Sequence, residues 1–272
     1  MNNPAYTQHF LNNRFTIQEM LNHAQISEND MVIDIGAGKG ALTNPLSRKA
    51  KKVIAVELDR HLACSLKRSF GNSPTVKVLN LNFLDMPLPK NSFKVVANIP
   101  YNITTDIFGY LLDVPQTYFT GGVILMEWGA AKRFTEHSID PRVIGWNTWF
   151  NISTVNRVSP QAFSPAPSVQ SAMVKIDRRK QALVDPQKYY DYIAFVSSLL
   201  KHPKTRMRDA FKHIFTWNQI KRISRDAGIN RDYLIANLTF SQWAHCFNTM
   251  QKLIPERMHP TMPNKYKKLY KR

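Results

Sequence analysis

Asn98-Ile99-Pro100-Tyr101 carries the residue types for chemistry on an exocyclic amine. A side-chain amide oxygen and a neighbouring backbone carbonyl can accept both N–H bonds of one amino group, while a phenol ring stacks on the heterocycle that bears it. The preceding run, Phe93-Lys94-Val95-Val96-Ala97, reads as a buried parallel strand. Pro100 has no N–H and a fixed φ, so the strand should break there. Amide and phenol would then stand at the carboxyl end of a strand, where open α/β sheets bind ligands. The same tetrapeptide also suits an ordinary β-turn with a surface tyrosine, so the rest of the chain has to decide.

A second group of residues points to a nucleoside. Met31-Val32-Ile33-Asp34-Ile35 reads as a strand, and Gly36-Ala37-Gly38-Lys39-Gly40 as the turn into a helix in which Pro45 must lie within the first turn or so. The spacing is G-x-G-x-G, not the G-x-G-x-x-G of dinucleotide folds. A second strand, Val53-Ile54-Ala55-Val56-Glu57, ends in a carboxylate 21 residues after Gly36. Nucleoside-binding folds place an acid there on the ribose hydroxyls. Turn and acid together imply an adenosine-containing cofactor, without separating NAD from S-adenosylmethionine. Asn80-Leu81-Asn82-Phe83-Leu84-Asp85 follows a third strand, Thr75–Leu79; its polar side chains could meet an adenine amino group or cap the next turn.

These residues need a sheet to hold them. A lead-in, Tyr6–Phe15, precedes a short amphipathic helix with Ile17, Met20 and Leu21 on one face. A helix over Thr104–Leu112, a strand at Val123–Met126 and a helix opening at Glu127–Arg133 follow. Ile139–Trp149 reads as a loop, and Asn151–Arg157 and Val169–Ile176 as two closing strands. Between those strands, prolines 165 and 167 stiffen a loop that holds Phe163, either as a lid over the core or as a second stacking surface opposite Tyr101. Strands alternating with helices predict an α/β doubly wound sheet. Beyond Arg178-Arg179-Lys180 only helical patterns remain: Gln187–Leu200, Thr205–Phe215, Asn218–Asp226 and Phe240–Leu253. The expected organisation is a catalytic domain over 1–177, a smaller helical domain over 178–254 and a basic flexible tail over 255–272.

The chain has 272 residues, a formal charge of +18 and a pI near 10.0. The charge is uneven: from Arg178 onward there are 20 Lys and Arg against 6 Asp and Glu. A near-neutral first part and a strongly basic second part suggest chemistry in one and polyanion contact in the other. Lys201, Lys204, Arg206 and Arg208, with Lys212, form the candidate phosphate-binding face. A merely soluble surface and a seat on anionic lipid are the alternatives, but no long apolar run or amphipathic anchor is evident. The two cysteines, Cys64 and Cys246, are far apart and read as reduced thiols of a cytoplasmic protein, and the N-terminus has no secretory pattern. The eight histidines form no metal-ligand spacing, and no G-x-S-x-G elbow is present.

Taken together, the Asp34–Gly40 turn, Glu57, Asn98-Ile99-Pro100-Tyr101-Asn102-Ile103 and Phe163-Ser164-Pro165 resemble the rRNA adenine-N6 methyltransferases. That family comprises the erythromycin-resistance (Erm) enzymes and housekeeping relatives that dimethylate small-subunit rRNA. Ile99, Thr105-Asp106-Ile107 and Ala131-Lys132-Arg133 look more like the Erm branch. The resemblance implies a Rossmann-like class I methyltransferase domain that uses S-adenosylmethionine. Gly36 and Gly38 would lie under its methionine part, Glu57 on its ribose, and His9, Leu11, Asn82 and Asn98 around it. Asn98, Ile99, Tyr101 and Phe163 would handle the adenine. The chain departs from the family pattern at His9, usually Asn, and at Asn82, usually Asp. The Erm branch further implies a 23S rRNA target, free or in a ribosomal precursor, a monomeric protein with no membrane partner, and resistance to macrolides, lincosamides and streptogramin B. The alternatives are a 16S rRNA dimethyltransferase, a catalytically silent RNA-binding factor of the same fold and, from the base chemistry alone, a DNA adenine methyltransferase. Mono- and dimethylation are not distinguished.

Overall fold

Valine- and isoleucine-rich runs bounded by glycine, asparagine and proline form the strands, as expected for a sheet covered on both faces. The computed structural model describes residues 8–135 and 137–267. In chain order its elements are β1 (Phe10–Leu11), α1 (Arg14–Ala24), β2 (Met31–Ile35), α2 (Thr43–Ser47), β3 (Lys52–Glu57), α3 (Arg60–Phe70), β4 (Val76–Asn80), β5 (Phe93–Asn98), α4 (Thr104–Leu112), β6 (Phe119–Glu127), α5 (Trp128–Thr135), α6 (Pro141–Trp149), β7 (Phe150–Val158), β8 (Phe163–Ser164), β9 (Ser171–Arg178), α7 (Tyr189–Leu199), α8 (Met207–Phe211), α9 (Trp217–Asp226), α10 (Phe240–Leu253) and α11 (Asn264–Lys267), with short 3₁₀ turns between them. Residues 6 and 7 of the lead-in and 268–272 of the basic tail lie outside the described residues.

Seven strands form one sheet in the order β4-β3-β2-β5-β6-β9-β7. Every pair from β4 to β6 is parallel, and β9 runs antiparallel to β6. The order reverses between β2 and β5, so the carboxyl ends of those two strands flank the crevice where such sheets bind ligands. β6 begins four residues earlier than its apolar run suggests, passing through Gly121 and Gly122. A Cβ on Gly122 would lie 1.8 Å from the Val95 carbonyl oxygen of β5, and one on Gly121 2.3 Å from that of Ile176 in β9. Only glycine lets both neighbours approach this closely.

The chain divides into two compact units: Met1–Leu112 with Thr117–Lys132 and Ile152–Arg178, and Asp113–Gln116 with Arg133–Asn151 and Arg179–Arg272. The first holds nearly all of the sheet. In the second, α6 replaces the loop expected over 139–149. Asp140 caps it through the Arg142 amide and Pro141 occupies its first turn. Eight of its nine residues are buried. A helix buried all round shows no polar stripe, and Val, Ile, Gly and Trp are weak helix formers, which is why the segment reads as irregular. Asp113 belongs with α6 because its carboxylate accepts from the Arg142 guanidinium at 2.7 Å and from Trp146 Nε1 at 2.8 Å. The helix expected over 205–215 is only the five residues of α8. α10 spans the expected Phe240–Leu253, opened by a capping box between Thr239 and Gln242.

Arg178 and Arg179, at the expected boundary, are tied to backbone carbonyls. Arg178 donates from Nε to the Phe119 carbonyl at 3.1 Å, and Arg179 from Nε to the Asn147 and Phe150 carbonyls at 3.1 and 3.2 Å.

Candidate active site

The two-stranded ribbon β1–β8 assembles the site. Phe10 pairs with Ser164 and Leu11 with Phe163, and the Asn12 and Asn13 amides both donate to the Ala162 carbonyl. The ribbon lays the lead-in across the end of β5, where Asn98 Nδ2 donates to the His9 carbonyl at 2.9 Å. A carbonyl only accepts, so this bond fixes which end of the carboxamide is the NH₂ and leaves Oδ1 turned away. Among the described residues no donor reaches Asn98 Oδ1 or the Ile99 carbonyl. Ile99 itself is anchored, with its side chain buried and its N–H donating to Leu125 at 3.2 Å. Two adjacent acceptors with no protein donor are what a primary amine requires.

Tyr101 stands half-buried just beyond. Its hydroxyl is hydrogen-bonded to Ser171 Oγ at 2.6 Å, and burial raises the phenol pKa, so the ring is fixed and neutral. The His9 ring lies roughly parallel to it, 24° between planes and 6.3 Å between centroids, while His9 Nδ1 bonds the Pro165 carbonyl at 2.8 Å. Phe163 sits elsewhere. Only 4 % exposed, it packs into the cluster that contains Leu11, Leu21 and Met173, and among the described residues it makes no ring contact with Tyr101. The expected clamp is therefore open on one side in this state.

On the other side of the crevice, Gly36 and Gly38 hold φ of +69° and +56°, a region L side chains avoid. A Cβ on Gly38 would also come within 3.3 Å of the Phe10 ring. Glu57, buried at the end of β3, accepts the Gly38 amide on Oε2 and the Asp59 amide on Oε1, each at 2.8 Å. A carboxylate offers about four acceptor directions, so roughly two remain for ribose hydroxyls. Asn82 Oδ1 accepts the Leu84 amide at 3.2 Å, the capping role that position allows, and retains a second lone pair. Sequence reasoning missed one neighbour, Leu58, and named Asn80 only among the polar side chains past the third strand, without its structural role. Leu58 is 63 % exposed directly after Glu57, an apolar surface whose signal is a large aliphatic following the strand-terminal acid. Asn80 holds that corner by donating to the Glu57 and Leu58 carbonyls at 2.9 and 3.0 Å. The glycine cradle, the buried acid and the exposed leucine fit an adenosine-bearing cofactor.

Asp34 lies beneath the cradle. It is 1 % exposed and accepts from Thr43 Oγ1 at 2.6 Å. Burial pushes its carboxyl up from 3.8 to about 7, the Thr43 bond opposing this and the Glu57 charge adding to it. A raised folded-state value means the associated stability is complete below pH ~4 and is lost as pH climbs through about 7. Asp34→Asn keeps an acceptor for Thr43 and cannot ionise. It should flatten the fall in stability between pH 5 and pH 8, on the order of 2–3 kcal/mol. Thermal melts across that range check this; a wild-type slope in the variant would contradict it.

The basic residues expected to meet phosphate lie around α8. Lys201 and Lys204 are exposed in the preceding turns, whereas Arg206 and Arg208 reach Asp232 at 3.8 and 2.7 Å. That acid lies distant in sequence, so the segment is less cationic than its local composition indicates. Among the described residues no group of three or more His, Cys, Asp or Glu could hold a metal, and no helix is long and apolar enough to cross a membrane.

The family model described as ribosomal RNA adenine dimethylase matches residues 1–252. The chain belongs to that family. It is accordingly an S-adenosylmethionine-dependent rRNA adenine-N6 methyltransferase with a Rossmann-like methyltransferase fold. An rRNA adenine N-6-methyltransferase of Bacillus licheniformis is 40 % identical over 262 residues, covering 96 % of this chain and 90 % of the relative. A probable ribosomal RNA small subunit methyltransferase A of Methanococcus aeolicus is 33 % identical over 224 residues, 78 % of this chain and 79 % of the relative. The crystal structure of the 23S rRNA methyltransferase ErmE superposes with a TM-score of 0.81 at 24 % identity, covering 89 % of this chain and 99 % of that one.

Proposed function

We propose that this enzyme methylates N6 of one adenine in 23S rRNA, working as a cytoplasmic monomer, and thereby confers resistance to macrolides, lincosamides and streptogramin B. S-adenosylmethionine supplies an electrophilic sulfonium methyl; Gly36, Gly38, Leu11 and Glu57 would hold it, with His9, Asn82 and Asn98 alongside. An adenine N6 is a poor nucleophile because its lone pair is delocalised into the ring. The observation that carries the reading is the pair of acceptors at Asn98 Oδ1 and the Ile99 carbonyl, fixed by the bonds to His9 and Leu125. Accepting both N–H bonds draws the amine toward a pyramidal geometry with its lone pair directed out of the ring plane. Tyr101 offers the stacking face for the flipped base, and Phe163 becomes the second face if its ring turns out of the core. Orientation does most of the work, so no side chain need act as a strong base. Lys201 and Lys204 would hold phosphate, with Arg206 and Arg208 contributing once Asp232 is outcompeted.

The 23S target is supported by Ile99, Thr105-Asp106-Ile107 and Ala131-Lys132-Arg133, the residues that resemble the Erm branch. A methylated N6 loses a hydrogen-bond donor and gains bulk where the drugs bind. A macrolide-susceptible bacterium expressing the chain should become resistant to erythromycin, while one expressing the Asn98→Ala variant should not. Unchanged susceptibility with methylated 16S rRNA would move the target to the small subunit.

A further inference from the structure

The second unit carries a basic surface that the residues assigned above do not include. α9 opens with a capping box in which Thr216 Oγ1 accepts the Gln219 amide, and this places Trp217 at its first position, 50 % exposed. One turn on, Lys221 Nζ lies 5.5 Å from the centroid of the Trp217 ring, and the Arg231 guanidinium lies 5.3 Å from it. Lys221, Arg222, Arg225 and Arg231 line a surface depression together with Asn218 and Asn230. Asp226 reaches Arg222 at 3.5 Å and Arg225 at 3.2 Å and so offsets only part of this charge. The buried side of the helix is Ile220, Ile223 and Ser224, so its cations and tryptophan are left to solvent. A bare cationic helix face would be solvated charge. A half-exposed indole among four cations has an additional capability, because its ring offers a π-face to any unpaired base while the cations take the flanking phosphates.

We propose that Trp217, Lys221, Arg225 and Arg231 form a second RNA-contact site, which binds an unpaired nucleotide of the substrate rRNA by stacking on Trp217 and by phosphate contact. This rests on the rRNA reading above and adds to it a site on α9. The surface continues toward α8. The Arg208 amide donates to the Arg231 carbonyl at 3.1 Å, so the loop after α9 carries Arg231 on one flank and Asp232, with its two arginine partners, on the other. A strand of RNA lying on Lys201 and Lys204 would find its next cations here. Asn218 and Asn230 add hydrogen-bonding groups, which suits a sugar–phosphate chain better than a lipid headgroup layer.

The test uses the full-length protein and single-stranded oligoribonucleotides. Trp146, Trp149 and Trp243 are fully buried and Trp128 is only partly so, so in a Trp128→Phe background an added oligonucleotide should quench the protein fluorescence through Trp217, and Trp217→Phe should remove most of that quench. Lys221→Gln with Arg225→Gln should weaken binding about tenfold or more and lower the salt slope by about 0.7 for each lost phosphate contact. In methyl transfer to rRNA fragments the same pair should raise KM and leave kcat unchanged. Wild-type affinity and salt slope in the double variant would overturn the proposal, as would a quench that survives Trp217→Phe. So would quenching by phosphatidylserine vesicles but not by RNA. Failure of the 23S assignment would instead show as methylation of another rRNA with these binding effects intact.

Discussion

Alanine at Asn98 is expected to lower kcat for methyl transfer on the order of a hundred- to a thousandfold, the range seen when one oriented hydrogen-bonding group is removed from a reacting centre. The variant loses Oδ1, one of the two acceptors that turn the amine, and keeps the Ile99 carbonyl, which alone cannot hold both N–H bonds. It also loses the bond from Nδ2 to the His9 carbonyl, so the lead-in is held at that point only by β1–β8 pairing and the His9–Pro165 bond. That part of the change should cost about 1 kcal/mol of stability, the worth of one part-buried hydrogen bond. The two effects separate cleanly. A structural role alone would lower Tm and activity together, whereas the chemical role predicts near-wild-type Tm and RNA affinity with activity gone. Asn98→Asp sharpens the distinction, because aspartate keeps the acceptor but cannot donate to the His9 carbonyl, so it would set two oxygens against each other.

Gly122→Ala should be the most damaging single methyl in the sheet. Its Cβ would fall 1.8 Å from the Val95 carbonyl oxygen, 2.7 Å from the carbon and 2.8 Å from the nitrogen, all main-chain atoms of the adjacent parallel strand. No rotamer can relieve a clash with backbone, so β5 and β6 would have to part, and β5 carries Asn98. A loss above about 4 kcal/mol is expected, enough to unfold much of a domain of ordinary stability. Gly228→Ala is the control. Its φ is +61°, but nothing lies within 4 Å of the added carbon, so only the left-handed conformation is penalised, by about 1–2 kcal/mol. Soluble yield and thermal melts of the two variants should differ widely; a Gly122→Ala protein that melts like the Gly228→Ala one would show the sheet to be more yielding than its geometry indicates.

The adjacent glycines of β6 mark a limit of sequence reading. Gly121-Gly122 resembles a turn, so β6 is legible only from Val123, and its earlier half becomes visible when β5 and β9 close on it. The parallel strands themselves are legible because each is an unbroken apolar run ended by a polar or glycine residue, as in Ile35–Gly36 and Val56–Glu57. α6 is hidden for the opposite reason, since burial on every side removes the periodicity that betrays a surface helix. At the candidate site, residue types point to Asn98, Tyr101, Gly38 and Glu57, whose proposed chemistry is local to short motifs. They do not foretell that the His9 backbone orients the Asn98 amide, that Phe163 rests in the core, or that Asp232 sits between Arg206 and Arg208. Each of these depends on residues brought together from distant parts of the chain, 89 positions apart for Asn98 and His9.

Primer extension on 23S and 16S rRNA from a susceptible bacterium expressing the chain reads out the modified adenine itself. One new stop at a single 23S adenine is expected, absent with Asn98→Ala, and mass spectrometry of that nucleotide then counts the methyl groups. A stop confined to 16S rRNA, or full modification by the Asn98→Ala protein, would contradict the proposed function.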